Sequence, residues 1–103
     1  MELLIITAAR AFEKDIKGLL KKAGVKTFSY MDVTGYKDQE GESMSANWFA
    51  SSVGERQSVL FYAFVPKLAV DEVMLQIKRL NESEQSQSKI HVAVMDIKRM
   101  SNI

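Results

Sequence analysis

At 103 residues and 11.6 kDa, the chain has enough material for one hydrophobic core, so a single domain spanning residues 1–103 is expected. Its 47% hydrophobic and 26% charged residues fit a soluble globular protein, and no apolar run approaches the roughly 18 residues needed to insert in a membrane. A net charge of +1 with no basic face interleaved with aromatics argues against nucleic acid as a partner, and the absence of cysteine excludes disulfides, thiol catalysis and thiolate metal sites. The opening MELLIIT lacks the basic region and cleavage site of a secretory signal and reads as a first strand, which makes a cytoplasmic location the expectation.

In chain order, Glu2 to Thr7 reads as that strand, with Leu3, Leu4, Ile5 and Ile6 apolar on both sides. A helix follows in RAFEKDIKGLLKKAG, where Phe12, Ile16, Leu19, Leu20 and Ala23 recur at three- and four-residue steps and Gly24 supplies the left-handed stop. Gly18 inside it costs about 1 kcal/mol relative to alanine, so this helix is expected to depend on tertiary packing. Lys26 to Val33 reads as the second strand, with Phe28 and Tyr30 on one side and Met31 and Val33 elsewhere. After a long polar stretch comes Ser58 to Val65, the clearest strand, closed by Pro66. The second helix is expected from about Leu68 to Asn81, with Val70, Val73, Met74, Ile77 and Leu80 on one face. The polar NESEQSQS then forms a loop before the last strand, KIHVAVMDI.

The order βαββαβ predicts an α+β, ferredoxin-like sandwich: a four-stranded antiparallel sheet with both helices on one face. Two helices cover only one side of a sheet. Yet Leu60, Tyr62 and Phe64 are apolar opposite Val59, Phe61, Ala63 and Val65, and strands 1 and 4 repeat the pattern. The bare face is therefore expected to pack against other copies of the chain, since such a patch in water promotes aggregation.

Taken together, FEKDIKGLLKKAGV, FSYMDVTGYKDQEG and SKIHVAVMDI resemble the PII signal-transduction family over almost the whole chain. In that family a helix ending in a Gly-hydrophobic pair leads to a strand, a glycine-aromatic-glycine turn followed by glutamine and glycine, and a long T-loop. Gly35, Tyr36, Gln39 and Gly41 occupy the turn positions, and residues 34–57 correspond to the T-loop. The resemblance implies a homotrimer with sheets facing inward, and a T-loop that touches a membrane transporter or an enzyme under its control. It also implies a ligand cleft between subunits that takes an adenine nucleotide. The matching positions are Gly35, Tyr36, Lys37 and Gln39 from one chain, with Lys89 and Arg99 near a B-loop-like segment at 81–89.

The departures bear on the effector. A phosphate cradle needs backbone N–H groups unobstructed by side chains, whereas Asn81 to Ser88 contains no glycine. The second glycine of the turn is Lys37, and Lys98 and Arg99 only loosely replace the family's terminal arginines. An adenine nucleotide and a smaller effector both stay open. No tyrosine lies between Tyr36 and Arg56, so uridylylation is not expected. The chain looks closest to short PII-like groups without the B-loop signature, some linked to bicarbonate transport, carboxysomes or heavy-metal efflux.

Trp48 and Phe49 are costly to leave in water, so they are expected to anchor the loop on a partner or on a neighbouring subunit. The alternative to a nucleotide sensor is a trimeric metal-binding or metal-efflux-associated protein of the same fold. Against it, His91 reads as a structural or interface residue, Met74 and Met95 as packing, Met44 as a lone thioether, and Asp38, Glu40 and Glu42 as solvated. Neither a metal site nor a catalytic residue is assigned. One histidine, no cysteine and no legible carboxylate pair make an enzyme the weaker reading. A purely structural trimer, the remaining rival, would be indifferent to changes at Gly35, Gln39 and Lys89.

Overall fold

The computed structural model describes residues 1–37, 54–83 and 89–101. Strand β1 is Glu2–Ala9, helix α1 Glu13–Lys22, β2 Ser29–Lys37, β3 Gly54–Val65, α2 Lys67–Ser83 and β4 His91–Asp96. A turn of 3-10 helix at Arg10–Phe12 leads into α1. The sheet order is β2-β3-β1-β4 and every neighbouring pair is antiparallel. The fold is the expected ferredoxin-like one: β1 and β2 run parallel, with β3 inserted between them.

Helix α1 ends as its sequence dictates. Gly24 adopts φ +85°, its N–H donates to the Lys21 carbonyl at 3.0 Å, and the Val25 N–H donates to that of Leu20 at 2.9 Å. This pair of bonds is a Schellman closure, and it brings Val25 and Leu20 into the core together. At its start, Lys17 donates to Glu13 and to the Tyr30 hydroxyl, both at 2.9 Å. Those two acceptors hold the Lys17 pKa above its ordinary value, the tyrosine contributing more than the carboxylate. The Tyr30 ring in turn stacks on Phe61 at 5.2 Å, fastening the outer edge of the sheet to α1.

The core lies between the helices and one face of the sheet. Leu4, Ile6 and Ala8 of β1 and Val59, Phe61, Ala63 and Val65 of β3 are buried against Ile16, Leu19 and Leu20 of α1 and Val70, Val73 and Ile77 of α2. Met74, expected on that stripe, is 42% exposed instead. At about 100° per residue Met74 lies roughly 40° from Val70 and 60° from Ile77 but 100° from Val73, which puts it at the margin of the buried stripe rather than within it.

The other face of the sheet is largely apolar, and among the described residues no helix covers it. Register places Met31, Leu60, Thr7 and His91 in one row across the four strands, Ser29, Tyr62, Ile5 and Ala93 in the next, and Phe64, Leu3 and Met95 in a third. Phe64 is 52% exposed, Met31 48% and Met95 46%.

Strand boundaries depart from the sequence reading. The second strand begins three residues late and continues through Thr34, Gly35, Tyr36 and Lys37, which the sequence reading placed in a turn. These four pair with Gln57, Arg56, Glu55 and Gly54, so the ends of the long segment form a two-stranded arm. Pairing decides the matter here, because polar residues on both strands give no alternation to detect. Helix α2 likewise runs to Ser83 rather than Asn81. Among the described residues, no helix is long and apolar enough to cross a membrane.

Candidate functional site

Gly35 and Tyr36 sit near the end of β2, at one edge of the sheet; Gly35 is buried and Tyr36 exposed. Lys37 ends that strand. Lys89 precedes β4, at the opposite edge. Because β2 runs parallel to β1 and β4 antiparallel to it, the end of β2 and the start of β4 lie at the same end of the sheet. Across the sheet alone they are three strand spacings apart, roughly 14 Å. The two halves of the predicted cleft thus lie toward the same end of the sheet, with Gly35 and Lys37 four and six residues past the row that Met31 shares with His91, and they do not meet within one chain.

Lys89 is held by a structure that the sequence reading missed. The Asn81 side chain donates from its amide nitrogen to the Ile90 carbonyl at 2.9 Å and accepts the Ile90 N–H at 2.8 Å. Ile90 is 3% exposed, so a side chain takes the place of a strand partner for a buried peptide unit. The same turn of α2 accepts Lys89: its ammonium donates to the Asn81 carbonyl at 3.1 Å while remaining exposed. A cation suits that position, where the last carbonyls of a helix carry partial negative charge. An asparagine in a last helical turn before a polar run was the available signal, but no local rule specifies its partner nine residues on.

Arg99 lies elsewhere. The Glu2 to Asp96 pairing puts the end of β4 at the start of β1, so Arg99 is separated from Lys89 by more than the five steps from Glu2 to Thr7, roughly 17 Å. It lines a shallow groove with Phe64, Ile97, Met100 and Ser101. Gln39, Trp48 and Phe49 lie outside the described residues, as do Asp38, Glu40, Gly41, Glu42, Met44 and the 84–88 part of the B-loop-like segment. Among the described residues, no three His, Asp or Glu side chains gather in a way that would hold a metal ion, so the metal-binding alternative finds no such ligand set there.

His91 opens β4 on the uncovered face, opposite Thr7. Burial pushes its imidazole below the ordinary pKa of 6.5, because partial desolvation disfavours the charged ring. The folded chain therefore prefers the neutral form more than the unfolded chain does. The stability linked to this residue is fully present above pH 6.5 and falls as pH drops through 6.5 toward the lower folded value. Melting temperatures recorded from pH 7.5 to 5 are expected to decline on the acid side, and to decline less in His91→Gln; parallel profiles would refute the assignment.

The comparisons with known proteins agree with this architecture. The family model for nitrogen regulatory protein P-II matches residues 1–102. A PII-like protein from Thiomonas intermedia K12, CPII, solved bound to ADP, AMP and bicarbonate, aligns with a TM-score of 0.63 at 18% identity, covering 96% of this chain and 93% of that one. A DUF3240 family protein from Shewanella baltica OS155 aligns at 0.68 and 16% identity, covering 99% and 94%. The B. subtilis GlnK–ATP complex aligns at 0.63 and 23%, covering 91% and 80%. A search of curated proteins finds no match. At these identities the structural likenesses speak for the fold, while the family match extends over nearly every residue, and on it the chain belongs to the nitrogen regulatory protein P-II family.

Proposed function

We propose that this chain is a PII-type regulator that senses a small effector, an adenine nucleotide being the leading candidate, at clefts between the subunits of a homotrimer. Gly35, Tyr36, Lys37 and Gln39 of one chain face the Lys89 region of its neighbour, and the T-loop at 34–57 reports occupancy to a transporter or enzyme through Trp48 and Phe49. The domain itself spans 1–103. The observation that carries this reading is the placement of Gly35–Lys37 and Lys89 at one end of the sheet but on opposite edges. Only a second chain brings such halves together. The nucleotides in the related CPII and GlnK structures support the choice of effector class. PII-family proteins are signalling regulators, in keeping with a role other than catalysis.

The chain's own chemistry limits the charge it accepts. Lys89 is the cation of this half of the cleft, and it is already shared with the Asn81 carbonyl. A helix C-terminus repels anions, and without a glycine-rich N–H cradle each added phosphate gains little. Nucleotides with fewer phosphates are therefore favoured relative to ATP. Arg99, a strand length away, contributes less than Lys89.

Isothermal titration of the purified protein against ATP, ADP, AMP and cyclic AMP tests this. One site per chain is expected, weakened about tenfold or more in Lys89→Ala and less in Arg99→Ala. That factor corresponds to about 1.4 kcal/mol, the lower end for a charge-assisted hydrogen bond. No heat with any of the four overturns the nucleotide reading.

A further inference from the structure

On the helical side of the molecule, away from the open sheet face, a groove of about 510 Å³ runs between α1 and α2. Its walls on α1 include Lys14, Gly18 and Lys22, spaced four residues apart and so stacked along one stripe. On α2 they include Arg79 and Leu80, with Leu19 of α1 contributing to the floor. Among the described residues Asp15 is the one carboxylate in the lining, against the three cations Lys14, Lys22 and Arg79. None of these four is in an ion pair among the described residues, and all four are exposed.

Gly18 makes the groove what it is. Glycine in the middle of a helix is unfavourable, and nothing among the described residues requires one here: a Cβ built on Gly18 meets no atom of theirs within 4 Å. The helix thus carries an intrinsic weakness without a packing reason among the described residues. What the missing side chain leaves is room between two helices, over an apolar floor and beneath a positive rim.

We infer that this groove is a docking site for an acidic segment of a partner protein, with an apolar side chain of that segment lying over Gly18 and its carboxylates meeting Lys14, Lys22 and Arg79. Charge complementarity selects the occupant: the three-to-one excess of cations rewards carboxylates and disfavours a basic segment. The shape excludes a small-molecule pocket, because those bury most of their ligand, whereas these walls are largely exposed. From Lys14 to Lys22 the stripe extends roughly 12 Å, enough for about two helical turns of a bound segment. An assembly through the open sheet face leaves this side accessible, and the groove reaches the α2 turn that holds Lys89 from the helical side, through Arg79 and Leu80.

The test is selection from a random twelve-residue peptide display library on the purified full-length protein, followed by titration of the enriched peptide into ¹⁵N-labelled protein. The enriched peptides are expected to be rich in Asp and Glu around an apolar residue, and to shift the amides of Gly18, Leu19 and Leu80. Gly18→Leu should raise the melting temperature, since a side chain is tolerated there, yet weaken the peptide at least tenfold; Arg79→Glu should weaken it similarly. The proposal is overturned if no peptide family emerges, if the enriched peptides are neutral or basic, if the shifts fall on β2, β3 or β4, or if Gly18→Leu binds as wild type does. Concentration-dependent self-association abolished by Gly18→Leu would also overturn it, by identifying the occupant as another copy of the chain.

Discussion

Replacing Leu60 by glutamate is expected to convert a three-chain particle, about three times 11.6 kDa, into single folded chains. Leu60 sits in the middle of the open sheet face, between Met31 and Thr7 in its row and beside Tyr62 and Phe64 along β3. In one chain it is half-buried, so the substitution costs the monomer about 1 kcal/mol of apolar burial. In an assembly that covers this face, the same carboxylate would be desolvated without a partner, at a cost of several kcal/mol. The difference between those costs falls on association, and every 1.4 kcal/mol is tenfold, so dissociation should tighten its hold on the equilibrium by roughly two to three orders of magnitude. Sedimentation velocity gives the mass, and circular dichroism establishes that the variant is folded. Met31→Glu, at a position already 48% exposed, is the gentler variant and should act in the same direction. Wild-type protein that sediments as a monomer, or a Leu60→Glu protein of unchanged mass, would refute assembly through this face.

That prediction was legible in the sequence, because it needs only the alternation of β3 and the knowledge that two helices cover one side. The βαββαβ order was legible for a similar reason: Ile16, Leu19 and Leu20 recur at helical spacing, and Ser58 to Val65 is too rich in β-branched and aromatic residues for anything but a strand. The two-stranded arm at 34–37 and 54–57 was not legible, since its register depends on pairing between segments about twenty residues apart. Strand order had the same effect on the candidate cleft. Gly35 and Lys89 could be picked out by resemblance, but their placement on opposite edges follows only from the strand order, and that of Arg99 at the far end from the antiparallel pairing of β4 with β1. Met74 shows a different limit: its spacing from Val70 and Ile77 placed it on the stripe, whereas at the stripe's margin it is left 42% exposed.

Asn81→Leu is expected to lower stability by about 2–4 kcal/mol, the largest effect of any single change near the candidate cleft. Its amide satisfies both the N–H and the carbonyl of Ile90, a residue almost fully buried. Leucine matches asparagine in rough size but can do neither, and each buried backbone group left without a partner costs about 1–3 kcal/mol. For a domain of this length, 1 kcal/mol moves the melting temperature by about 4–8 °C, so a fall of roughly 10–30 °C is predicted. Asn81→Asp separates the two bonds. A carboxylate still accepts from the Ile90 N–H at 2.8 Å, but it faces the Ile90 carbonyl with a second acceptor, so its effect should be intermediate and should shrink at acid pH as the group protonates and can donate again. The same change bears on function, since the α2 turn that carries Asn81 also holds Lys89 through its carbonyl. Hydrogen exchange gives the decisive readout: loss of the clamp should release the Ile90 amide in Asn81→Leu while the amides of β1 and β3 exchange only as fast as the lower global stability allows. An Ile90 amide that stays as protected as those central strands would mean that the clamp is dispensable, and that Lys89 is held in place by the strand alone.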